Sequence, residues 1–406
     1  MKIAHKKHWP IAVFAVAGLV ALGGGVYAAT HYFFKPATQP TEVLKIAKPA
    51  AKITGAESKM LVMGDVFWGR YINDWSQKSD LKYAYPFQKL NDFNRSSYDA
   101  WVADMECPIT NNPKVSSAVE ESTLQFDCSP DYLPYAKQYF TAFTLANNHT
   151  DNQNGVIGWK ETIKHLADNN IQSFGTFDPE DYGNICNVLS LPARVTYDDN
   201  TVKTVKLPTV WCGYHGVFKN PGPASIAVMS KYTSEFNVIA MPHSGAEYKT
   251  GPDQIKTDLY RGLIDGGADV VIGDHAHWVQ NTEAYKGRLI VYSLGNFIFD
   301  QQDTAEVTRS LALQMTLSVK ASDAPDLEKW IKLAEDCGSY DDQCLQMATS
   351  QNLAKLPMNY SFVALGSNDS GKITKPATAD QLSAIKQRLN WATTIKGLTG
   401  RYSGEP

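Results

Sequence analysis

Short apolar runs alternate with amphipathic patterns through the middle of the chain. The apolar runs lie near 60–63, 143–146, 238–242, 270–272 and 289–294, and each is bounded by turn-forming or polar residues. Runs of this length are typical of buried strands. Between them, apolar residues recur every three or four positions over 159–170 and 254–267, which predicts helices. Strands that alternate with helices predict an α/β domain with helices covering the sheet.

Polar side chains follow these predicted strands. They are Asp65, Asn147, Asn148, His149, His243, Asp274, His275, His277 and Asn296. Open α/β sheets build their sites at the carboxyl ends of strands, so we expect many of these side chains to lie close together.

The types of these side chains indicate a metal site. His275 and His277 alternate, so on an extended segment both imidazoles face one side, although structural histidines explain such a pair equally well. His243 adds a third imidazole, and Asp65 and Glu106 add carboxylates. Together with the Asn148 amide, these donors suit Mn, Fe or Zn better than Ca or Mg.

Each of these residues also has an ordinary structural interpretation. Asp65 fits a helix cap, Asn148 a turn and Glu106 a solvated surface. Because all of them gather at one predicted sheet edge, we favour the metal site. His215 lies among turn residues and is interpreted as structural.

The amino terminus carries a basic tip and an uncharged run of 19 residues, 11–29. That length is close to the ~20 residues needed to cross a bilayer and exceeds the roughly 7–15 of a cleavable signal. We therefore predict a transmembrane signal anchor in 1–34, with a cleaved signal and a secreted protein as the alternative. The basic tip stays in the cytoplasm, so the domain is expected in the periplasm or at the cell surface. Residues 35–57, rich in Pro, Ala, Thr and Lys, predict a stalk.

Charge and cysteine content narrow the function class. The net charge is −4, and the 35 basic and 42 acidic residues after the tip give −7, so nothing favours nucleic acid as a partner. All six cysteines follow the predicted anchor, and an even number in an exported domain predicts disulfides. Of 15 pairings, the simplest joins neighbours: Cys107 with Cys128, Cys186 with Cys212, and Cys337 with Cys344. A zinc cluster is disfavoured because no Cys-x₂-Cys pair exists.

The region after the last polar strand end has a different pattern. We place the main domain at 58–320 and a C-terminal elaboration at 321–406. The elaboration comprises a cysteine-bearing helical surface insertion over 323–352, a strand near 359–366 and a final helix over 379–392.

Five motif blocks, in order, resemble the CapA family of capsule synthesis proteins, which is associated with poly-gamma-glutamate and belongs to the calcineurin-like metallophosphoesterases. The blocks lie at 63–70, at 104–108, at 146–149, at 242–248, and at 273–277 with its continuations at 283–287 and 292–297. The resemblance covers about residues 58–302. It implies a four-layer α-β-β-α metallophosphoesterase-like sandwich, here preceded by the N-terminal transmembrane helix.

The resemblance also implies roles for individual residues. The metal-ligand positions are Asp65, Glu106, Asn148, His243, His275 and His277, and they would hold one or two divalent ions. His149 would lie beside the metals and steady or protonate a phosphate. Asn147, Glu247 and Asn296 would hold the remaining N–H groups of the ligating imidazoles.

Two positions depart from ordinary metallophosphoesterases. Phe67 stands where those enzymes carry a metal-binding His, and Glu106 stands where an Asp bridges the metals. CapA-like sequences share both changes, and one metal position would be poor in ligands.

The expected function is therefore that of a membrane-anchored, extracytoplasmic CapA-type protein in synthesis or export of a capsule polymer, with poly-gamma-glutamate favoured. Its phosphoesterase-like site would act on a phosphoester or on the polymer, and a polymer synthase or export complex would be a partner. The alternatives are a periplasmic phosphatase or phosphodiesterase unrelated to capsule and a non-catalytic scaffold of a synthase complex, so catalytic activity stays open.

Overall fold

The computed structural model of the protein describes residues 50–112, 114–338 and 341–406. The predicted anchor and residues 35–49 of the predicted stalk lie outside these ranges. Within them, no helix combines the length and the apolar character that crossing a membrane requires. The first strand begins at Ile53, five residues before the predicted start of the domain.

Strands and helices alternate along most of the chain. The strands are β1 (Ile53–Val66), β2 (Ala100–Met105), β3 (Ala142–Thr144), β4 (Gln172–Phe174), β5 (Cys186–Tyr197), β6 (Val202–Gly216), β7 (Val238–Ser244), β8 (Val270–Ile272), β9 (Thr282–Tyr285), β10 (Arg288–Val291), β11 (Asn296–Ile298), β12 (Arg309–Lys320), β13 (Asn359–Asn368), β14 (Lys375–Pro376) and β15 (Tyr402–Glu405). The helices are α1 (Arg70–Lys78), α2 (Ser117–Thr123), α3 (Leu133–Ala136), α4 (Val156–Asp168), α5 (Pro223–Ala227), α6 (Gln254–Asp265), α7 (Ala305–Thr308), α8 (Leu327–Cys337), α9 (Asp341–Ser350), α10 (Ala379–Leu389) and α11 (Trp391–Gly397). The predicted α/β class and the helices α4 and α6 are confirmed.

The long strand β1 is the junction of the sheet. Its first residues pair antiparallel with β5, and its last residues pair parallel with β2. From β1, one arm runs through β2, β3 and β4, and the other runs through β5, β6, β7, β8, β10 and β9. The neighbouring strands of β1, β2 and β3 are parallel, as are those of β6, β7 and β8, so their carboxyl ends share an edge.

Both faces of β1 are covered by apolar side chains. Met60 and Val62 belong to one hydrophobic core, and the alternate residues Leu61 and Met63 belong to the other. All four are fully buried. Burial of each such side chain contributes about 2 kcal/mol to stability, which explains why this segment reads as a continuous apolar run instead of an alternating one.

The residues after β12 are part of the same sheet. β13 pairs with β12 along its whole length, from Arg309 opposite Asn368 to Ser318 opposite Asn359. The predicted helical segment is present as α8 and α9, but the prediction of a surface insertion is wrong for α8. Its Trp330 is buried, with the ring 5.2 Å from that of Phe236, because the apolar stripe of the helix packs on the core.

The final predicted helix is two helices. Asn390 adopts a left-handed backbone (φ 54°), which ends α10 and starts α11. Asn tolerates this conformation better than most residues, and the break allows Trp391 to be buried.

The three predicted neighbour disulfides are confirmed: Cys107–Cys128, Cys186–Cys212 and Cys337–Cys344. Cys186 and Cys212 are register partners on β5 and β6. The third bridge joins α8 to α9.

Candidate metal centre

Three carboxylates lie at the adjacent ends of β1 and β2. Asp65 is the penultimate residue of β1, while Asp104 and Glu106 lie two positions apart at the end of β2. All three side chains are fully buried. The parallel register, which sets Asp65 opposite Asp104, brings these acids together.

Three histidines approach these acids from the other arm of the sheet. His243 is in β7, and His275 and His277 follow β8. The expectation of an extended His-x-His segment is wrong, because both residues have positive φ, 87° for His275 and 55° for His277. Such backbone costs about 1–3 kcal/mol and is commonly found at functional sites. The two imidazole rings nevertheless converge on the same acids, with centroids 6.2 Å apart.

One cluster of donor atoms has the spacing expected around a single ion. Nε2 of His243 lies 2.9 Å from Oδ1 of Asn148 and 3.1 Å from Nδ1 of His275. Donor atoms bound to one ion at about 2.1 Å lie about 3.0–3.4 Å from each other. Glu106 is near the same atoms, with Oε1 3.8 Å from Nε2 of His243.

A second group of potential ligands lies next to the first and shares Glu106. Asp65, Glu106 and His277 offer donor atoms within 4.8 Å of one another, as do Glu106, His243 and His275. A third such group combines Asp65, Asp104 and His243. Glu106 is therefore the carboxylate common to the groups that contain His275 and His277.

The buried acids need a cation. Within the described residues, neither carboxylate oxygen of Glu106 nor of Asp65 has a hydrogen-bond partner. An isolated buried carboxylate costs several kcal/mol, so such groups are paired, protonated or bound to a metal. The residues present therefore fit a divalent ion, and the mixture of imidazole, carboxylate and amide donors fits the predicted Mn, Fe or Zn.

Burial changes the pKa values of the whole cluster. Desolvation raises the pKa of Glu106 and of Asp65 well above their usual values, and the neighbouring carboxylates raise them further. Desolvation also lowers the pKa values of His243 and His275, and their positive neighbours add to the effect. Neutral imidazoles are metal ligands, and a bound cation would restore the charged form of the acids.

Asn147 and His149 flank the Asn148 ligand position. The Asn147 side chain donates to Oδ1 of Asp104 (2.7 Å) and to the Met105 carbonyl (2.9 Å), so it reaches the imidazole of His243 only through Asp104. His149 stacks on Phe126 with ring centroids 4.0 Å apart. Burial lowers the pKa of His149 to about 4, so the ring is neutral near pH 7.

Asn296 and Glu247 lie beside the other two histidines. Oδ1 of Asn296 is 2.8 Å from Nδ1 of His277, which makes that nitrogen the donor and leaves Nε2 free to bind a metal. The amide of Asn296 is held in turn by Gln301 and by the Val307 carbonyl. Oε1 of Glu247 lies 4.0 Å from Nε2 of His275, and the Glu247 side chain is 41% exposed.

Sequence reasoning missed two buried acids of the site. Oδ2 of Asp104 lies 2.6 Å from Nδ1 of His243, and the spacing of Asp104 two residues before Glu106 on one strand was the available signal. Asp274 is fully buried beside Asp65, and burial raises its pKa well above the usual value. The buried ammonium of Lys256 donates to the Asp274 carbonyl (3.1 Å), a contact that no sequence pattern indicated.

Phe67 forms an apolar wall where a metal-binding His was considered. Its ring contacts those of Phe126 and Phe299, with centroids 4.8 and 5.2 Å away. The Arg70 guanidinium lies over the Phe67 ring at 5.1 Å and is neutralised by Asp300. This wall supplies no metal ligand.

A family model described as "Bacterial capsule synthesis protein PGA_cap" matches residues 59–194 and 222–301, more than half of the chain. The chain belongs to this family. All six predicted ligand positions fall within the matched ranges, and the CapA resemblance is confirmed.

Two curated relatives carry related names. The chain is 28% identical over 267 residues to "PGA biosynthesis protein CapA" of Bacillus subtilis (strain 168), covering 62% of this chain and 65% of that protein. It is 26% identical over 261 residues to "Capsule biosynthesis protein CapA" of Bacillus anthracis, covering 60% of each. The matched region thus spans less than two thirds of either relative.

Among solved structures, the crystal structure of TT1561 of Thermus thermophilus is similar to 63% of this chain and 93% of that one at 9% identity. Its TM-score of 0.33 is too low to support an argument about the fold.

Proposed function

We propose that the protein acts in the synthesis or export of a capsule polymer, with poly-gamma-glutamate as the favoured polymer, through a metal-dependent, phosphoesterase-like centre. Family membership supports the capsule role, and both curated relatives are named for capsule or PGA biosynthesis. The fold proposed for the main domain is the four-layer α-β-β-α sandwich, in which the two arms of the sheet that meet at β1 form the inner layers.

The observation that carries the metal centre is the position of Glu106. Its carboxylate is buried, lacks hydrogen bonds from the described residues, and lies within reach of two separate histidine-containing groups. A carboxylate shared in this way is suited to bridge two adjacent ions. His243, His275 and Asn148 would hold one ion, and Asp65 and His277 would hold the other.

A bound divalent ion would supply Lewis-acid polarisation of a phosphoryl or carbonyl oxygen and a nucleophilic water at neutral pH. The protein's own residues prepare the site for that chemistry. Asp104 and Asn296 hold the Nδ1 atoms of His243 and His277, which directs Nε2 of each ring into the cluster. His149 has Nδ1 2.9 Å from Oδ1 of Asn152, so it donates there and keeps Nε2 available as a proton acceptor.

The proposed location is the outer side of a membrane, with residues 11–29 as the anchor. Three disulfides in the described residues support an oxidising compartment. A cleaved leader would give the same compartment with a secreted protein.

The test is metal analysis of the full-length protein purified in detergent, combined with assays on phosphoesters and on poly-gamma-glutamate. His275→Ala should lose bound metal and any activity together. His165→Ala, which changes a partly exposed histidine on α4, is the matched control and should keep both. A wild-type protein that binds no Mn, Fe or Zn would contradict the proposal.

A non-catalytic scaffold of a polymer synthase complex is the second candidate, and the wall formed by Phe67 favours it. With no ligand from position 67, the ion near Asp65 and His277 would have few protein donors. A wild-type protein that binds one ion tightly, has no hydrolytic activity and co-purifies with a membrane synthase would support the scaffold.

A further inference from the structure

A cleft of about 410 Å³ opens beside the metal centre. Asn148 and His149 form its inner end. Leu124 and Phe218 line its outer part and are 54% and 79% exposed. A group attached to an anion in the metal centre would therefore extend towards Phe218. Residues 195–221, which include Phe218, lie outside the ranges that match the family model, so the family match does not describe this wall.

The charges lining the cleft are negative. Asp151 and Glu247 line it, and no Lys or Arg is among the lining residues in the described part of the chain. The closest basic residue in sequence, Lys219, forms an ion pair with Glu180. Arg70, behind Phe126, is paired with Asp300.

This lining disfavours an extended polyanion. A polymer that carries a carboxylate on every residue would place like charges beside Asp151 and Glu247. Sequence reasoning expected a metal or a local basic groove to attract an anionic substrate. The cleft provides no basic groove, so attraction of the anion is left to the metal centre.

We propose that the cleft is a subsite for an organic ammonium group on a ligand whose anionic group occupies the metal centre. Two carboxylates provide charge complementarity, and the exposed face of Phe218 provides a cation–π surface. This inference rests on the proposed metal centre and names the class of ligand it would take.

The proposal has a consequence for poly-gamma-glutamate. In a γ-linked chain every α-amino group is an amide except the one at the amino terminus. Only that end combines a free ammonium with an adjacent carboxylate. The cleft would thus bind the amino end of the polymer in preference to its interior.

The test uses full-length, Mn²⁺-loaded protein and three phosphomonoesters that differ in the charge beyond the ester. These are phosphoethanolamine, ethyl phosphate and phosphoglycolate, with binding measured by calorimetry. We expect phosphoethanolamine to bind on the order of fivefold more tightly than ethyl phosphate, the size of one partly screened charge contact, and phosphoglycolate to bind most weakly.

Two variants assign the preference to the cleft. Asp151→Asn and Phe218→Ala should each reduce the advantage of phosphoethanolamine over ethyl phosphate while the affinity for ethyl phosphate stays near that of the wild type. Asp80→Asn, an exposed acid in another part of the chain, is the control and should keep the advantage.

Three results would overturn the subsite. Equal affinities for the three esters, or a preference that survives both variants, would do so with the metal centre intact, as bound Mn²⁺ and binding of ethyl phosphate would show. Absence of Mn²⁺ and of any ester binding would overturn the subsite together with the proposed function.

Discussion

Nδ1 of His243 lies 2.6 Å from Oδ2 of Asp104, and both side chains are fully buried. The carboxylate is itself held by the amide of Asn147. A carboxylate at Nδ1 sets the ring orientation and keeps the proton on that nitrogen, which leaves Nε2 as the ligand atom. The pair therefore connects β2 and β7, in separate arms of the sheet, through the metal centre.

Asp104→Asn should weaken metal binding without removing a predicted ligand. The amide is a poorer partner for the imidazole N–H, and loss of such a partner typically costs 10–100-fold in metal affinity. Competition with a chelator of known affinity measures the change. Glu235→Gln, an acid away from the centre, should bind metal like the wild type, and equal affinities for Asp104→Asn would contradict the role of this contact.

Glu106→Gln should have opposite effects in metal-free and metal-loaded protein. Without metal, the substitution removes a buried acid that has no partner, and we expect the free energy of unfolding to rise by about 1–3 kcal/mol. With metal, the variant should lose most of the thermal stabilisation that the ion provides, because an amide is a weak ligand. Thermal unfolding with EDTA or with added Mn²⁺ measures both, and a variant that is less stable in EDTA would count against an unpartnered acid.

Asp369 should make stability depend on pH independently of the metal. Burial raises the pKa of Asp369 well above its usual value, and the nearby Asp300 raises it further. As pH rises from about 4, the unfolded chain releases this proton before the folded protein does, so stability falls towards neutral pH. Asp369→Asn should remove this loss and be more stable than the wild type at pH 7 but not at pH 4. Urea unfolding at both pH values, in EDTA, measures it, and an equal gain at both would exclude titration as the cause.

The disulfide between β5 and β6 should contribute more to stability than the one between α8 and α9. Cys186–Cys212 closes a 26-residue separation and Cys337–Cys344 one of 7, while all four cysteines are buried. Loop-closure entropy predicts a difference of about 1 kcal/mol. Double Cys→Ala variants of each pair allow the comparison by chemical unfolding. Mass spectrometry of the native wild type should find no free thiol, and six free thiols would contradict all three bridges.

The order of residues was enough to predict the α/β class, the main strands, the helices α4 and α6, and the group of residues from which a metal centre is built. It was enough because buried strands need continuous apolar runs, and because parallel strands deliver the polar residues that follow them to one edge. The same local rules paired each cysteine with its neighbour.

Tertiary structure alone decided how those residues meet. Asp104 became the partner of His243 because two strands far apart in sequence end at the same edge, and His275 and His277 converge through left-handed backbone that an alternating pattern does not encode. The acidic cleft combines Leu124, Asp151, Phe218 and Glu247 from four separate segments. Its charge arises from proximity in space, which neither the composition nor the net charge of the chain contains.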